Sequence, residues 1–274
     1  MSISTPIREA AEYINKHLGT VKNPIGIILG TGLGEFASEI EDAVEVPYSQ
    51  IPHFPQSTVE GHDGKLIHGR LEGQEVLAMK GRFHFYEGYG MEHVVFPIRV
   101  MKYLNARFLL LSNASGGVNP DFKVGDIMVI EDHINLFPSN PLIGPNDDEM
   151  GPRFPDMSEP YDHKLNAQMH VAASQVGIPL KKGVYVGVSG PCFETPAEYK
   201  YIRIIGGDTV GMSTVPENIA ARHLGIPVTA LSVITDLGIE GHVEEVSHEE
   251  VQRAAQEAEP KMAKVVRAFF ANLS

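Results

Sequence analysis

The chain places Arg82, His84 and Tyr86 at a period of two, with phenylalanines between them. In an extended strand this spacing puts the three polar side chains on one face and the phenylalanines on the other, toward a core. A cation, an imidazole and a phenol on a buried strand are costly unless they bind a polar group. The trio therefore suits an anion beside a hydroxylated group. An amphipathic edge strand with solvated polar residues is the alternative interpretation.

Two glycine-rich segments follow apolar runs and are candidates for anion binding by backbone N–H groups. Residues 30–34 follow the run at 25–29, and Thr31 adds a hydroxyl donor. The spacing matches neither a Rossmann fingerprint nor a P-loop. Residues 113–117 follow the run at 108–112 in the same way and form a second candidate nest. Either segment is also typical of a tight turn without a ligand.

Four later positions could contact a flat heterocycle and its substituents. Phe193 can stack on a ring while Glu194 accepts a ring N–H, although an acidic residue there also suits a helix start. Met212 precedes a serine at the head of a predicted helix, where it could equally fill a core. Asp236 ends a predicted strand and is a candidate acid, base or orienting group.

Other catalytic chemistries find little support. His248 begins the last predicted helix, but a lone histidine is more often structural than functional. The five histidines between residues 53 and 93 do not form a close metal-ligand set with a carboxylate. No Gly-x-Ser-x-Gly elbow is present. Cys192 could act as a nucleophile, but nothing in the sequence supplies its base.

Composition limits the class of protein. The 274 residues are 43% hydrophobic and lack a linker, which predicts one domain over residues 1–274. A net charge of -13 without basic clusters disfavours binding to nucleic acid or to anionic membranes. No run reaches the roughly 18 apolar residues of a membrane span, and no signal-peptide core is present. The single cysteine fits a reducing cytosol, so we expect a cytoplasmic protein.

Apolar runs and amphipathic segments alternate along the chain. This alternation predicts an α/β fold with α/β/α layers around a mixed, mostly parallel central sheet. In such folds ligands bind beyond the carboxyl ends of the strands. A long loop is expected at 135–161. Strands are predicted at 25–29, 76–79, 108–112, 127–130, 184–188 and 228–234, and helices at 4–18, 91–104, 162–176, 195–205, 216–224 and 248–272.

Taken together, the motifs resemble the trimeric type of purine nucleoside phosphorylase. The likeness runs from about residue 25 to the last helix, and chance agreement over so many segments is implausible. It rests on GTGLGE, STVEGHDGKL, GRFHFYEGY, SNASGGVNP, GDIMVIEDHIN, NPLIGPND, RFPDMS, GPCFET, VGMSTVPE and SHEEV.

The resemblance implies three groups of site residues. The phosphate group comprises Thr31, His62, Arg82, His84, the backbone of Ala114, and Ser213. The ribose group comprises Tyr86, Met212, His248, and Phe154 lent by a neighbouring subunit. The base group comprises Phe193, Glu194, Thr235 and Asp236, with Val210 and Tyr185 as apolar walls.

The implied reaction is phosphorolysis of a purine nucleoside to the free base and α-ribose 1-phosphate. His84, Glu194 and Asp236 would be the catalytic residues, and inosine and guanosine the favoured substrates. Orthophosphate is a substrate, and neither a metal nor an organic cofactor is implied. The family also implies a homotrimer.

One position departs from the family pattern. Where members specific for 6-oxopurines commonly carry Ile-Thr-Asn, this chain has Ile-Thr-Asp ending at Asp236. An asparagine amide can donate to N7, whereas an ionised carboxylate can only accept. Methylthioadenosine phosphorylases carry an aspartate there but usually lack the pair formed here by Phe193 and Glu194. A phosphorylase for 6-aminopurines such as adenosine or methylthioadenosine is therefore the nearest alternative. A non-catalytic nucleoside-binding protein is a different class, which the complete phosphate set disfavours.

Overall fold

A nine-stranded mixed sheet forms the middle layer of the computed structural model, which describes residues 4–31, 33–56, 64–239, 241, 243 and 245–273. Its strands are β1 (Ile25–Leu29), β2 (Glu41–Pro47), β3 (Lys65–Leu71), β4 (Gln74–Lys80), β5 (Leu109–Gly117), β6 (Ile127–Asn135), β7 (Lys181–Gly187), β8 (Thr209–Gly211) and β9 (Val228–Leu237). The helices are α1 (Ser4–His17), α2 (Met91–Val94), α3 (Phe96–Tyr103), α4 (His163–Gln175), α5 (Pro196–Ile204), α6 (Val215–His223) and α7 (His248–Ala271). None of these helices has the length and apolar composition that a membrane crossing needs.

The sheet closes on itself at one end. Its strand order is β2-β3-β4-β1-β5-β8-β7-β6-β9, and β5 also pairs with β9. The last five strands therefore form a ring. Among the described strands, five pairings are parallel and four antiparallel, so the predicted mixed sheet is confirmed with only a narrow parallel majority.

Helices cover both faces of the sheet. Ile28 of β1 packs into one core with Ile7 and Ile14 of α1, while Ile27 and Leu29 pack into a second core with α4 and α7. Every residue of β1 is buried because both of its faces are covered. An apolar run without polar alternation is typical of a strand that is covered on both faces. The α/β/α layers are thus confirmed.

Strand β2 lies at the open end of the sheet and pairs with β3 alone among the described strands. Its first five residues are exposed, and they include Glu41, Asp42 and Glu45. The register shifts between Glu41 and Val44, which marks a bulge. The sequence prediction omitted β2 because it has no continuous apolar run.

Two segments differ from their predicted form. Arg82, His84 and Tyr86 do not share a strand, because the chain is irregular after β4 and then forms a 3-10 turn at Phe85–Glu87. Residues 113–117 are part of β5 rather than a turn. The glycines there are used for close strand pairing with β8 and β9. The segment after β6 is irregular as far as α4, as the sequence predicted.

Candidate active site

A cavity of about 510 Å³ opens where β1, β5, β8 and β9 end. Nearly all of the predicted site residues line it, although they come from segments far apart in the sequence. They are Thr31, Arg82, His84, Tyr86, Ala114, Phe193, Glu194, Val210, Met212, Ser213, Thr235, Asp236 and His248.

Two predicted residues lie elsewhere, and a third cannot be placed. His62 falls outside the described residues. Phe154 is not in the cavity wall; its side chain is 86% exposed in the irregular segment after β6. Tyr185 is fully buried behind the wall, where its hydroxyl accepts a hydrogen bond of 3.3 Å from the backbone N–H of Ser213.

Arg82 is fixed in place by the protein. Only 2% of the residue is exposed. Its Nη1 donates to the hydroxyls of Ser213 at 2.8 Å and Thr214 at 3.1 Å, and its Nη2 donates to the carbonyl of Ser112. The buried carboxylate of Glu217 lies 3.3 Å from Nη1. The guanidinium is therefore held at the cavity wall in one orientation, and the carboxylate of Glu217 balances part of its charge.

The first glycine after β1 is required by this packing. A side chain at Gly30 would overlap the carbonyl of Ser112 and would meet Arg82 Nη2 at 3.0 Å. The Gly30 N–H donates to the Ser112 hydroxyl at 3.1 Å. At least this glycine of the turn therefore serves the protein's own packing, and its N–H is already used.

Thr214 adopts a strained turn beside Arg82. Its φ of 66° and ψ of −49° resemble a γ-turn, and Val215 N–H donates to the Ser213 carbonyl at 2.7 Å. A β-branched residue in this region is uncommon and costs free energy. The Thr214 hydroxyl offsets part of that cost by accepting hydrogen bonds from Arg82 and, at 2.8 Å, from Asn113 Nδ2. The turn sets Ser213 at the cavity wall just before α6 begins.

His84 is paired with a carboxylate that the sequence analysis did not single out. Glu87 Oε1 accepts from the His84 backbone N–H at 2.7 Å and lies 3.1 Å from Nδ1. Burial is the main reason that the pKa of His84 is lowered, so the imidazole is neutral at physiological pH. Because a carboxylate only accepts, the proton sits on Nδ1 and leaves Nε2 as an acceptor. The Tyr86 ring stacks on the imidazole at a centroid distance of 4.7 Å, and burial raises the pKa of Tyr86 to about 12.

Two carboxyl groups stand at the other end of the cavity. Burial raises the pKa of Glu194 and of Asp236, and the buried Tyr199 lies near both carboxyls. Thr235 donates to Asp236 Oδ1 at 3.0 Å. Phe193 is 41% exposed beside them. This end can present both hydrogen-bond donors and acceptors next to an aromatic face.

Sequence reasoning missed Glu87, Glu217 and Tyr199. Glu87 had an available signal, since it follows His84 by three residues in the spacing of a capping box. Glu217 lies in the same VGMSTVPE motif as Ser213, where its role in holding Arg82 is visible only after folding. Tyr199 gave no signal, because a buried tyrosine on an amphipathic helix is normally a core residue.

Comparison with known proteins adds to this geometry. The family model described as "Phosphorylase superfamily" matches residues 24–271. Purine nucleoside phosphorylase 1 of Geobacillus stearothermophilus is 48% identical over 270 residues, covering 98% of each chain. The structure of Schistosoma mansoni purine nucleoside phosphorylase in complex with adenosine has a TM-score of 0.93 and 41% identity, covering 98% of this chain and 97% of that one. The complex of the Schistosoma mansoni enzyme with inosine has the same TM-score and 40% identity, covering 98% and 96%.

Proposed function

The chain belongs to the phosphorylase superfamily and, within it, to the purine nucleoside phosphorylases, and from this premise we propose that it favours 6-oxopurine nucleosides such as inosine and guanosine. The enzyme is a pentosyltransferase that cleaves the N-glycosidic bond of purine nucleosides. The observation that carries the substrate preference is the pairing of Phe193 with Glu194 in the cavity that also contains Arg82. A carboxylate there accepts the N1–H that a 6-oxopurine has and adenine lacks.

Orthophosphate binds at the Arg82 end of the cavity in this proposal. Arg82 supplies charge, while Thr31, Ser213 and the N–H of Ala114 supply further donors around it. His62, outside the described residues, completes the set that the family resemblance implies. Charge-assisted hydrogen bonds of this kind fix an anion for in-line attack.

His84 orients the phosphate by accepting a hydrogen bond. Since Glu87 accepts the Nδ1–H, the lone pair of Nε2 accepts a hydrogen bond from the remaining P–O–H of hydrogen phosphate. The unprotonated phosphate oxygens are then directed at C1′ of the sugar. The glycosidic bond breaks through a cationic, oxocarbenium-like sugar, and the adjacent phosphate dianion stabilises that charge.

The sugar and the base occupy the rest of the cavity. Tyr86 contacts the 3′-hydroxyl, His248 the 5′-hydroxyl and Met212 the apolar face of the ribose. Phe193 stacks on the purine, with Val210 and Thr235 beside it. Glu194 accepts N1–H, and a protonated Asp236 donates to N7 as negative charge develops on the leaving base. The raised pKa of Asp236 supports this protonated form.

The oligomer is proposed to be a homotrimer of single-domain chains that works in the cytoplasm. Phe154 supports the trimer, because a phenylalanine that is 86% exposed in its own chain is available to cover a neighbour's sugar site. The single cysteine supports a reducing compartment, and the net charge of -13 disfavours nucleic acid and anionic membranes as partners.

A parallel assay tests the proposal. Release of base from inosine, guanosine and adenosine is measured with and without phosphate. We expect release that requires phosphate, with inosine and guanosine ahead of adenosine. Release without phosphate would indicate a hydrolase, and no release would indicate a binding protein. Faster release of base from adenosine or methylthioadenosine than from inosine would favour the 6-aminopurine alternative. That alternative remains open because Asp236 has a carboxyl group where 6-oxopurine-specific members commonly have an amide.

A further inference from the structure

A cluster of buried polar side chains joins β5 to β9 next to the cavity. Ser232 of β9 is fully buried, and its register partner in the parallel pair is Asn113 of β5. Its hydroxyl donates to Asn113 Oδ1 at 2.6 Å, and the hydroxyl of Ser115 lies 2.6 Å from it on the other side. Buried polar groups are costly unless they are hydrogen-bonded, as these are. Neither Ser232 nor Asn113 has a role in the proposed function.

This cluster is connected to the cavity wall through Thr214. Asn113 Nδ2 donates to the Thr214 hydroxyl at 2.8 Å. The same hydroxyl accepts from Arg82 Nη1 at 3.1 Å and lies 3.1 Å from the hydroxyl of Ser213. Thr214 is fully buried, whereas Ser213 lines the cavity. A continuous series of hydrogen bonds therefore runs from Ser232 to a side chain that can contact a ligand.

The number of protons and lone pairs fixes the direction of these hydrogen bonds. A hydroxyl has one proton to donate and two lone pairs that accept. The Thr214 oxygen already accepts from Asn113 and from Arg82, so its bond with Ser213 must use the Thr214 proton. The Ser213 oxygen then accepts from Thr214 and, at 2.8 Å, from Arg82. Its own proton is left for an acceptor in the cavity.

The orientation of the Asn113 amide decides this outcome. An asparagine side chain has an acceptor end and a donor end. Because Ser232 donates to Oδ1, the amide turns Nδ2 toward Thr214, and the bond between Ser232 and Ser115 uses the Ser115 proton. With the amide reversed, Thr214 would donate to Oδ1 and Ser213 would donate to Thr214. The Ser213 hydroxyl would then present a lone pair to the cavity.

We propose that Ser232 is a positioning residue for phosphate, which holds the Asn113 amide so that the Ser213 hydroxyl donates its proton to an unprotonated phosphate oxygen. This inference rests on the proposed binding of orthophosphate at the Arg82 end. Tyr185 offers another acceptor near Ser213, but its oxygen already accepts the Ser213 backbone N–H at 3.3 Å. A charged phosphate oxygen is also a stronger acceptor than a neutral phenol.

Ser213 and His84 then recognise different oxygens of the same anion. The lone pair of His84 Nε2 needs a protonated oxygen, and the Ser213 proton needs an unprotonated one. Hydrogen phosphate has both kinds. A Ser213 hydroxyl turned toward Thr214 would place a lone pair against a charged oxygen, so loss of the direction costs more than the loss of one contact.

The first experiment compares Ser232→Ala with Thr229→Val. Thr229 is also fully buried in β9, and its hydroxyl donates to Oδ1 of Asn166 in α4 at 2.8 Å. Each change therefore removes one buried hydroxyl that holds an asparagine, but only Ser232 is connected to the cavity. Steady-state kinetics with inosine and phosphate are measured together with thermal unfolding.

We expect Ser232→Ala to raise KM for phosphate about three- to tenfold. KM for inosine and kcat at saturating phosphate should stay within about twofold, because the base and sugar contacts are unchanged. Thr229→Val should lower the unfolding temperature without raising KM for phosphate. An unchanged KM for phosphate in Ser232→Ala, or an equal rise in Thr229→Val, would overturn the positioning role. Ser232→Cys keeps a weak donor and should cause a smaller rise, which provides a second test if the alanine variant does not fold.

A double-mutant cycle tests whether Ser232 acts through Ser213. Ser213→Ala removes the hydroxyl whose direction is in question. In that background Ser232→Ala should cause no further rise in KM for phosphate, since nothing is left to orient. Independent, multiplying effects of the two changes would show that Ser232 acts by another route and would overturn the proposal.

Failure of this inference can be told apart from failure of the proposed function. Phosphate-dependent base release with equal KM for phosphate in the unmodified and Ser232→Ala enzymes would overturn the positioning role and leave phosphorolysis intact. Absence of base release from every nucleoside would remove the proposed function. In that case the rise in unfolding temperature caused by inorganic phosphate is compared in the same variants. A smaller rise in Ser232→Ala than in Thr229→Val would support the positioning role, and equal rises or none would overturn it.

Discussion

The two ends of the cavity carry opposite charge and hold it in different ways. At the proposed phosphate end, Arg82 is buried and fixed by Ser213, Thr214 and Glu217. At the proposed base end, two carboxyls with raised pKa values stand next to Phe193, which is 41% exposed. Phosphate is the same in every turnover, so a rigid cation suits it. The purine varies, so two carboxyl groups beside an aromatic face, which can be donors or acceptors according to their protonation, suit it better.

Loss of Arg82 should have the largest effect, because the fixed end has nothing to replace it. Arg82→Ala removes a charge-assisted contact of about 1.5–3 kcal/mol, or roughly 10- to 100-fold in kcat/KM for phosphate. It also leaves Glu217 buried without its ion pair, which costs about 3–5 kcal/mol of stability. Phosphate saturation kinetics and thermal unfolding measure the two effects.

A double variant separates these effects. Arg82→Ala with Glu217→Gln should recover much of the stability, since the buried charge is gone, while phosphate binding stays weak. Normal phosphate saturation in either variant would show that Arg82 does not bind phosphate. It would also contradict the contrast between a fixed cation at one end of the cavity and carboxyl groups at the other.

Asp236→Asn should change the base end without affecting the phosphate end. An amide always has an N–H to donate to N7, so inosine and guanosine should gain over adenosine. We expect the adenosine-to-inosine ratio of kcat/KM to fall about tenfold, with KM for phosphate unchanged. Glu198→Gln is a matched control, because it removes a nearby carboxylate but keeps the capping box of α5. An unchanged ratio in Asp236→Asn would show that Asp236 does not read the purine.

Phe154→Ala should weaken nucleoside binding by about tenfold through the loss of buried apolar area. The side chain is exposed in its own chain, so the thermal unfolding temperature of the separated chain should not fall. Nucleoside KM and sedimentation are measured together. A fully active monomer would contradict the proposal that a neighbour contributes to the site.

The smallest effect is expected at His248, which is exposed at the start of α7. Its Nε2 lies 3.0 Å from the side-chain nitrogen of Gln252, one turn later in α7. His248→Ala should lower kcat/KM for inosine by up to about tenfold, because one hydrogen bond to the 5′-hydroxyl is lost. It should affect 5′-deoxyinosine less. Equal losses for both substrates would place His248 away from the 5′-hydroxyl.

Sequence was most informative where one physical requirement dominates. A strand buried on both faces must be apolar throughout, and β1 was therefore predicted to its last residue. Strand β8 has only three residues and exists because β5 and β7 pair with it, which no local pattern reveals. The glycines of residues 113–117 predicted a turn, yet they serve close pairing within the ring of strands.

In the candidate site, too, some features could be predicted from local sequence and others depend on contacts between distant segments. Its lining residues lie in motifs whose resemblance to a family could be recognised along the chain. The residues that hold them could not, because their roles depend on contacts between distant segments. Arg82 meets Glu217, and Asn113 of β5 donates to the Thr214 hydroxyl, only in the folded chain.

The open end of the sheet has a consequence for how the protein behaves at high concentration. Ring closure occupies one end, so β2 offers the backbone groups to which a strand from another molecule could add. Glu41, Asp42 and Glu45, together with the bulge, oppose such addition by repulsion and by twisting the edge. Replacing these three acids with threonine should leave turnover intact and make concentrated samples aggregate, so this strand governs colloidal stability independently of catalysis.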